Sequence, residues 1–189
     1  MKKKEELEEL LVIVDMVNGF IKYGNMADPD INKITPRIKE IVESFIAKKE
    51  GIAFIKDTHD ESSIEFKKFP PHCIKGSGEE EVIDELKMFE NYGLSYEKNS
   101  TSTIYAKNFI SDIEKMKKLK EVIITGCCTD ICILNLAIPL INYFDENNKD
   151  INITVYKDMV ETYNSDLHDR MEYNSLSFKL MKQAGINIK

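Results

Sequence analysis

The sequence predicts a three-layer α/β/α fold, with helices on both faces of a mostly parallel sheet of about six strands. Three observations carry that expectation. Short apolar runs alternate with segments of helical spacing from one end of the 189-residue chain to the other. The runs are continuous, as in strands covered on both faces, rather than alternating with polar residues. Acidic, histidine, lysine and cysteine side chains recur just beyond the ends of those runs, where open α/β sheets bind ligands.

Leu10 to Val14 is the first run. Ile34, Ile38, Ile41, Val42, Phe45 and Ile46 then recur at helical spacing, with Thr35-Pro36 suited to the helix start and Gly51 just past its end. Ile52 to Ile55 is the second strand. An irregular segment from Thr58 to Gly78 follows, holding Pro70, Pro71, Gly76 and Gly78. Such long loops in a compact domain are usually functional or disordered. Glu79 to Phe89 reads as a short helix, Leu94 to Glu97 as a weak strand and Phe109 to Leu119 as a helix. Val122 to Ile124 is a third clear strand, and Thr129 to Tyr143 an apolar helix. Ile151 to Tyr156 is another strand, Ser165 to Ala184 the last helix and Ile186 to Ile188 a closing strand. No repeat or linker interrupts the pattern, so residues 1–189 read as a single domain.

Composition narrows the function. An apolar fraction of 42% with a charged fraction of 31% is that of a soluble globular protein. A formal net charge of -7 would be repelled by nucleic-acid phosphates, which argues against that partner. The lysines near the start are followed at once by glutamates, and the run Leu10 to Val14 is too short for a signal core or a membrane span. A cytoplasmic protein is expected. Cys127, Cys128 and Cys132 crowd together and Cys73 stands apart, which suits buried or reactive thiols rather than a disulfide framework.

The strand ends supply the candidate chemistry. Asp15 ends the first strand, Asp57-Thr58-His59 the second, and Lys98 follows the weak strand. The strand at Val122 leads into Gly126-Cys127-Cys128-Thr129-Asp130-Ile131-Cys132. Singly, each is a surface residue or a helix cap; together they mark one edge of the sheet. Cys132 falls in the first turn of a helix capped by Thr129 or Asp130, where backbone N–H groups favour a thiolate and an oxyanion. Asp15 can take its proton and Lys98 can hold both charges. Cys127 and Cys128 read as packing residues. Asp57, His59, Glu65 and His72 form a second group whose donor types suit a first-row divalent metal. Spacing alone leaves a metal site and a solvated charged loop both open. His168, alone near the start of the last helix, reads as structural.

These residues resemble those of the isochorismatase-like cysteine hydrolases, over nearly the whole chain and in the same order. Asp15 followed five positions on by Phe20 resembles the end of that family's first strand, Thr129-Asp130-Ile131-Cys132 its nucleophile turn, and Lys98 its lysine. Asp57-Thr58-His59 with Phe69-Pro70-Pro71-His72-Cys73 and Gly76 is similar to the metal loop of the nicotinamidase branch. Glu65 stands near the place of a further ligand there, usually histidine and in some members a carboxylate. Val17, Gly19 and Phe69 depart from the commoner glutamine, acid and tryptophan.

The resemblance implies cleavage of a small amide, nicotinamide foremost, in the salvage of NAD. Cys132 would be the nucleophile, Asp15 the proton carrier and Lys98 the charge holder. The backbone N–H groups of Cys128 and Cys132 would hold the oxyanion beyond a cis Cys127–Cys128 peptide. Phe20 and Phe69 would sandwich a ring. One divalent ion (zinc, iron or manganese) would grip the ring nitrogen. A homo-oligomer with no membrane or nucleic-acid partner is expected. Two other readings stand beside this one: a metal-free relative acting on an N-carbamoyl amide, and a catalytically idle binding protein that keeps the fold.

Overall fold

The computed structural model describes residues 2–189. Its strands are β1 (Glu9–Val14), β2 (Gly51–Asp57), β3 (Leu94–Lys98), β4 (Glu121–Cys127), β5 (Asn152–Glu161) and β6 (Asn187–Ile188). They form one six-stranded sheet in the order β3-β2-β1-β4-β5-β6, and every pairing is parallel. The connections leave β1 in opposite directions, so the crevice at the carboxyl ends of β1 and β4 is the switch point where such sheets bind ligands. The helices are α1 (Asn18–Ile21), α2 (Thr35–Lys48), α3 (Asp84–Lys87), α4 (Phe109–Lys115), α5 (Leu134–Glu146) and α6 (Arg170–Gln183). None is long and apolar enough to cross a membrane among the described residues.

The continuous apolar strands are continuous because both faces are covered. Val12, Val14, Ala53, Ile55, Val122 and Ile124 pack with Phe109, Leu136, Leu140 and Phe144 on one side. Leu11, Ile13, Ile52, Phe54 and Ile123 pack with Ile38, Val42 and Phe45 on the other. Fully burying a side chain of this size contributes roughly 1.5–3 kcal/mol.

Several predicted elements differ in detail. The helix over 35–48 ends not through Gly51 but through Lys49, which takes the left-handed conformation at φ 60°; Gly51 is already in β2. The helix expected over 79–89 shrinks to the single turn α3. Glu79 and Glu81 instead accept backbone bonds from Gly19 and Asn18, and Val82 pairs antiparallel with Val17. This segment is extended because it closes over the chain leaving β1. The last helix starts later than its apolar spacing suggests, at Asp169, whose side chain caps the Glu172 N–H. His168 therefore lies outside it.

The apolar helix over 129–143 divides. Thr129–Ile133 form a wide π turn, and α5 begins only at Leu134. Pro139 lies inside α5 and has no N–H to offer the carbonyl four residues back. That carbonyl, of Asn135, accepts instead from Ser102 Oγ at 2.7 Å. The proline thus ties the loop after β3 to α5, next to the crevice.

Candidate active site

Each strand end at the crevice delivers one predicted group. Asp15 follows β1 in the left-handed region, at φ 52°, and its backbone N–H is held by the Ile55 carbonyl at 3.0 Å. β4 can come this close only because residue 126 is glycine. Its φ is 110°, and a Cβ there would stand 2.0 Å from the Val14 carbonyl oxygen. The Cys127–Cys128 peptide that follows is cis, as the resemblance implies, and the Cys127 thiol donates to the Asp15 carbonyl at 3.2 Å.

Lys98, at the end of β3, is the hub. Its Nζ lies 2.9 Å from Asp15 Oδ2 and 2.7 Å from Asp57 Oδ1, and 3.7 Å from Cys132 Sγ. All four side chains are buried. Burial opposes the ammonium charge, but the two carboxylates outweigh it and hold the lysine pKa well above its ordinary value. Burial also pushes the Cys132 thiol well up, against the pull of Lys98. Asp15 is raised to about 6, by burial first and by the Asp57 charge, against the attraction of Lys98. Lys98 aims its aligned hydrogen bonds at Asp57 and Cys132. Both Asp15 oxygens are left without an aligned donor among the described residues, in spite of the short ion-pair distance. A buried carboxylate with open lone pairs beside a protonated thiol is arranged to receive a proton.

The position of Cys132 corrects one expectation. It is the fourth residue of the π turn, not part of a capped first helical turn, and neither Thr129 nor Asp130 caps anything. The Cys128 carbonyl holds the turn from within, accepting from the N–H groups of Ile131 and Ile133. Asp130 turns away to Thr162 and His168.

Asp57, His59 and His72 meet on the far side of Lys98, their ligand atoms all within 4.8 Å of one another. Both Nε2 atoms lie 3.0 Å from Asp57 Oδ2. The other ring nitrogens decide what this means. His72 Nδ1 faces the Pro70 carbonyl at 2.8 Å, which can only accept, so this nitrogen carries the proton. His59 Nδ1 faces Asn99 Oδ1 at 2.6 Å, an oxygen that also accepts from Ser63. In the neutral rings both Nε2 atoms therefore present lone pairs to a carboxylate oxygen. With the rings neutral, those lone pairs face the carboxylate with no proton between them, and two imidazoles with a carboxylate are a donor set that fits a first-row divalent metal ion. The Lys98 charge and the two histidines hold Asp57 far below the carboxylate range despite its burial. The His59 ring is raised, since Asp57, Asn99 and Glu65 outweigh the opposing burial.

Glu65 is not among the three converging groups. It lines the cleft that Asp57 and His72 share with Cys132, which Phe20, Met26, Phe69, Thr101, Cys128 and Ile131 complete. Phe20 and Phe69 stand 5.5 and 6.3 Å from the His72 ring. Cys128, read from sequence as packing, lines this cavity too. Met26 and Phe69 also border an outer bowl of about 560 Å³.

Sequence reasoning missed Phe66, Asn99, Ser63 and Thr101. Phe66 sets its edge against both histidines, 5.2 and 5.7 Å away. Asn99 directly follows the lysine, so the rule that exposed Lys98 could have found it. Nothing in the spacing marks Phe66.

The pattern of the isochorismatase domain matches residues 9–186. Nicotinamidase 1 of Arabidopsis thaliana is 30% identical over 141 residues, 67% of this chain and 57% of its own length. The chain thus spans little more than half of that relative. The pyrazinamidase/nicotinamidase of Streptococcus mutans superposes with a TM-score of 0.82 at 22% identity, covering 96% of this chain and all of its own. The N-carbamoylsarcosine amidase of Thermoplasma acidophilum reaches 0.79 at 24% identity, covering 97% of this chain and 96% of its own. Both likenesses establish the three-layer fold; neither chooses between substrates.

Proposed function

Because the chain belongs to the isochorismatase family, we propose that it is an amidohydrolase converting nicotinamide to nicotinic acid and ammonia through a thioester on Cys132. One observation carries the choice of substrate: the thiol and two members of the metal-fitting triad, Asp57 and His72, line the same small cleft, between two phenylalanines. A metal-free amidase has no use for two imidazoles aimed at one carboxylate oxygen.

Asp15 takes the thiol proton as sulfur attacks the carboxamide carbon. The thiol needs this help, because its own ionisation lies well above neutrality. The backbone N–H groups of Cys128 and Cys132 receive the carbonyl oxygen as it gains charge; loss of one such donor costs roughly a hundredfold or more in rate. The C–N bond breaks as Asp15 returns the proton to nitrogen, and ammonia leaves. Asp15 then takes a proton from water, hydroxide attacks the thioester, and the acid departs as the proton returns to sulfur. Lys98 stays cationic and keeps Asp15 and Asp57 apart in charge. Phe20 and Phe69 hold the ring by stacking. Asp57, His59 and His72, with Glu65 beside them, would hold a divalent ion (zinc, iron or manganese), which would supply an anchor for the ring nitrogen.

The test is ammonia release from nicotinamide and from a panel of small amides that includes N-carbamoyl compounds, with metal content measured before and after chelation. Turnover of nicotinamide that falls on chelation supports the reading. Metal-free protein that prefers an N-carbamoyl amide replaces it with the second reading, and a panel without turnover replaces it with an idle binding protein.

A further inference from the structure

Behind the nucleophile turn lies a second histidine assembly that the chemistry above does not use. His168 is buried between two tyrosine rings, with centroids 3.9 Å away on Tyr163 and 3.7 Å away on Tyr173, both stacked. Its Nε2 lies 2.9 Å from Asp130 Oδ2 and its Nδ1 3.1 Å from the Tyr163 carbonyl. Thr162 Oγ1 donates to the other Asp130 oxygen at 2.5 Å. Asp130 is two residues from Cys132 in the same five-residue π turn. Apart from Cys132, whose sulfur meets Lys98, it is the turn's one side chain with hydrogen bonds to a neighbouring segment among the described residues: Thr129 Oγ1 is buried without a partner, and Ile131 and Ile133 are apolar.

The corner between β5 and α6 is itself anchored. Arg170 Nε holds the Thr162 carbonyl at 2.9 Å and its terminal nitrogens reach Asp28 and Asp30. Asp28 in turn accepts the Asn164 N–H at 3.0 Å. A fixed bracket thus grips the turn through one carboxylate.

We propose that His168, acting through Asp130, is a positioning residue that sets the reach of the Cys132 sulfur toward Asp15 and the aim of the turn's N–H groups. A tether of this kind costs rate when cut, because a displacement on the order of 1 Å at the reacting atoms can cost about a hundredfold. It leaves ring binding alone, since Phe20, Phe69 and the triad lie on other elements. The inference rests on Cys132 being the nucleophile, but not on which amide it attacks.

Two substitutions separate tethering from packing. His168→Phe keeps an aromatic ring between the tyrosines and loses both hydrogen bonds. His168→Gln loses the ring and keeps a donor that reaches Asp130. In the metal-loaded full chain, His168→Phe should lower kcat about tenfold to a hundredfold with KM within about twofold, and His168→Gln should be the milder of the two. Metal content should not change. Alkylation of Cys132 by iodoacetamide, followed on its peptide by mass spectrometry, should slow in the same order. Because that measurement needs no substrate, it tests the tether even if nicotinamide is not hydrolysed. Equal or reversed rank, with Phe the milder change, overturns the proposal, as does a loss that falls on KM. If His168→Phe does not fold, Thr162→Val decides, by removing the other bond to Asp130 at nearly constant shape: unchanged kcat and alkylation overturn the proposal, and a fall in both supports it.

Discussion

The described residues hold two pairings of buried histidine with a carboxylate at almost the same distance, and they call for different things. In one, His59 and His72 both meet Asp57 at 3.0 Å. In the other, His168 meets Asp130 at 2.9 Å. The difference is in the number of rings and in what encloses them. At Asp57 two imidazoles converge on one carboxylate oxygen, a donor set that fits a divalent cation. At Asp130 a single ring is held between two tyrosine faces, with an acceptor opposite each nitrogen and no second imidazole to complete a ligand set. The same residue types thus build a ligand-binding wing and a self-contained structural wing on either side of the thiol.

The largest expected effect concerns the atom between the wings. Cys132→Ala should lower kcat by on the order of 10⁴-fold or more while the metal content, read by elemental analysis, stays that of the parent. Cys73→Ala, Cys127→Ser and Cys128→Ser should each keep measurable turnover. A Cys132→Ala protein with more than trace activity would place the nucleophile elsewhere and remove the reason for comparing the wings at all.

Next come the ligands. His59→Ala and His72→Ala should empty the metal wing and raise KM by roughly tenfold to a hundredfold, with kcat less affected. Iodoacetamide should still reach Cys132 in both proteins. Loss of thiol reactivity along with the metal would mean that the triad supports the fold of the cleft rather than the binding of the ring. Glu65→Ala is the finer cut: unchanged metal content limits the set to three residues, and a fall adds a fourth.

Asn99→Ala should be milder. It leaves every proposed ligand in place and removes only the oxygen facing His59 Nδ1 at 2.6 Å. Partners of this kind are worth about tenfold to a hundredfold in metal affinity. Competition with a chelator of known affinity measures it, and an affinity equal to the parent's would show that Ser63 Oγ and the edge of Phe66 suffice to fix the His59 ring.

The two wings were not equally legible in the sequence. Asp15, Lys98 and Asp57 could be read because parallel strands must end at one edge, and an apolar run marks where each strand ends. His59 lay two residues beyond such an end. The parallel sheet and its continuous strands followed from the same logic; the order of the strands did not. What could not be read was set by contacts distant in sequence. The turn around Cys132 is wide because the Cys128 carbonyl takes two N–H groups and Asp130 is drawn to β5 and His168; helical periodicity is blind to both. The helix expected over 79–89 was lost to backbone bonds with Asn18 and Gly19. His168 was read as structural, and its partner Asp130 was taken for a helix cap.

The smallest expected effect couples the metal wing to the nucleophile through Asp15. Burial and the Asp57 charge raise its pKa to about 6, against the pull of Lys98. A raised carboxyl is protonated below that value and ionised above it, so the base is present only on the alkaline side. An unassisted thiol with a pKa well above its usual value would alkylate about tenfold faster with each pH unit throughout the neutral range. With Asp15 as base, the proton moves between carboxylate and sulfur without leaving the protein. Alkylation of Cys132 should then rise up to about pH 6 and level off above it. Asp15→Asn should abolish the plateau and restore the steady climb. A divalent ion beside Asp57 would offset the repulsion that helps to raise Asp15, so the midpoint in loaded protein should lie below that in chelated protein, by up to about one pH unit. The comparison needs only iodoacetamide and buffers with and without chelator. A plateau that survives in Asp15→Asn would assign the base to another group, and identical midpoints with and without metal would show that Lys98 screens the two wings from each other completely.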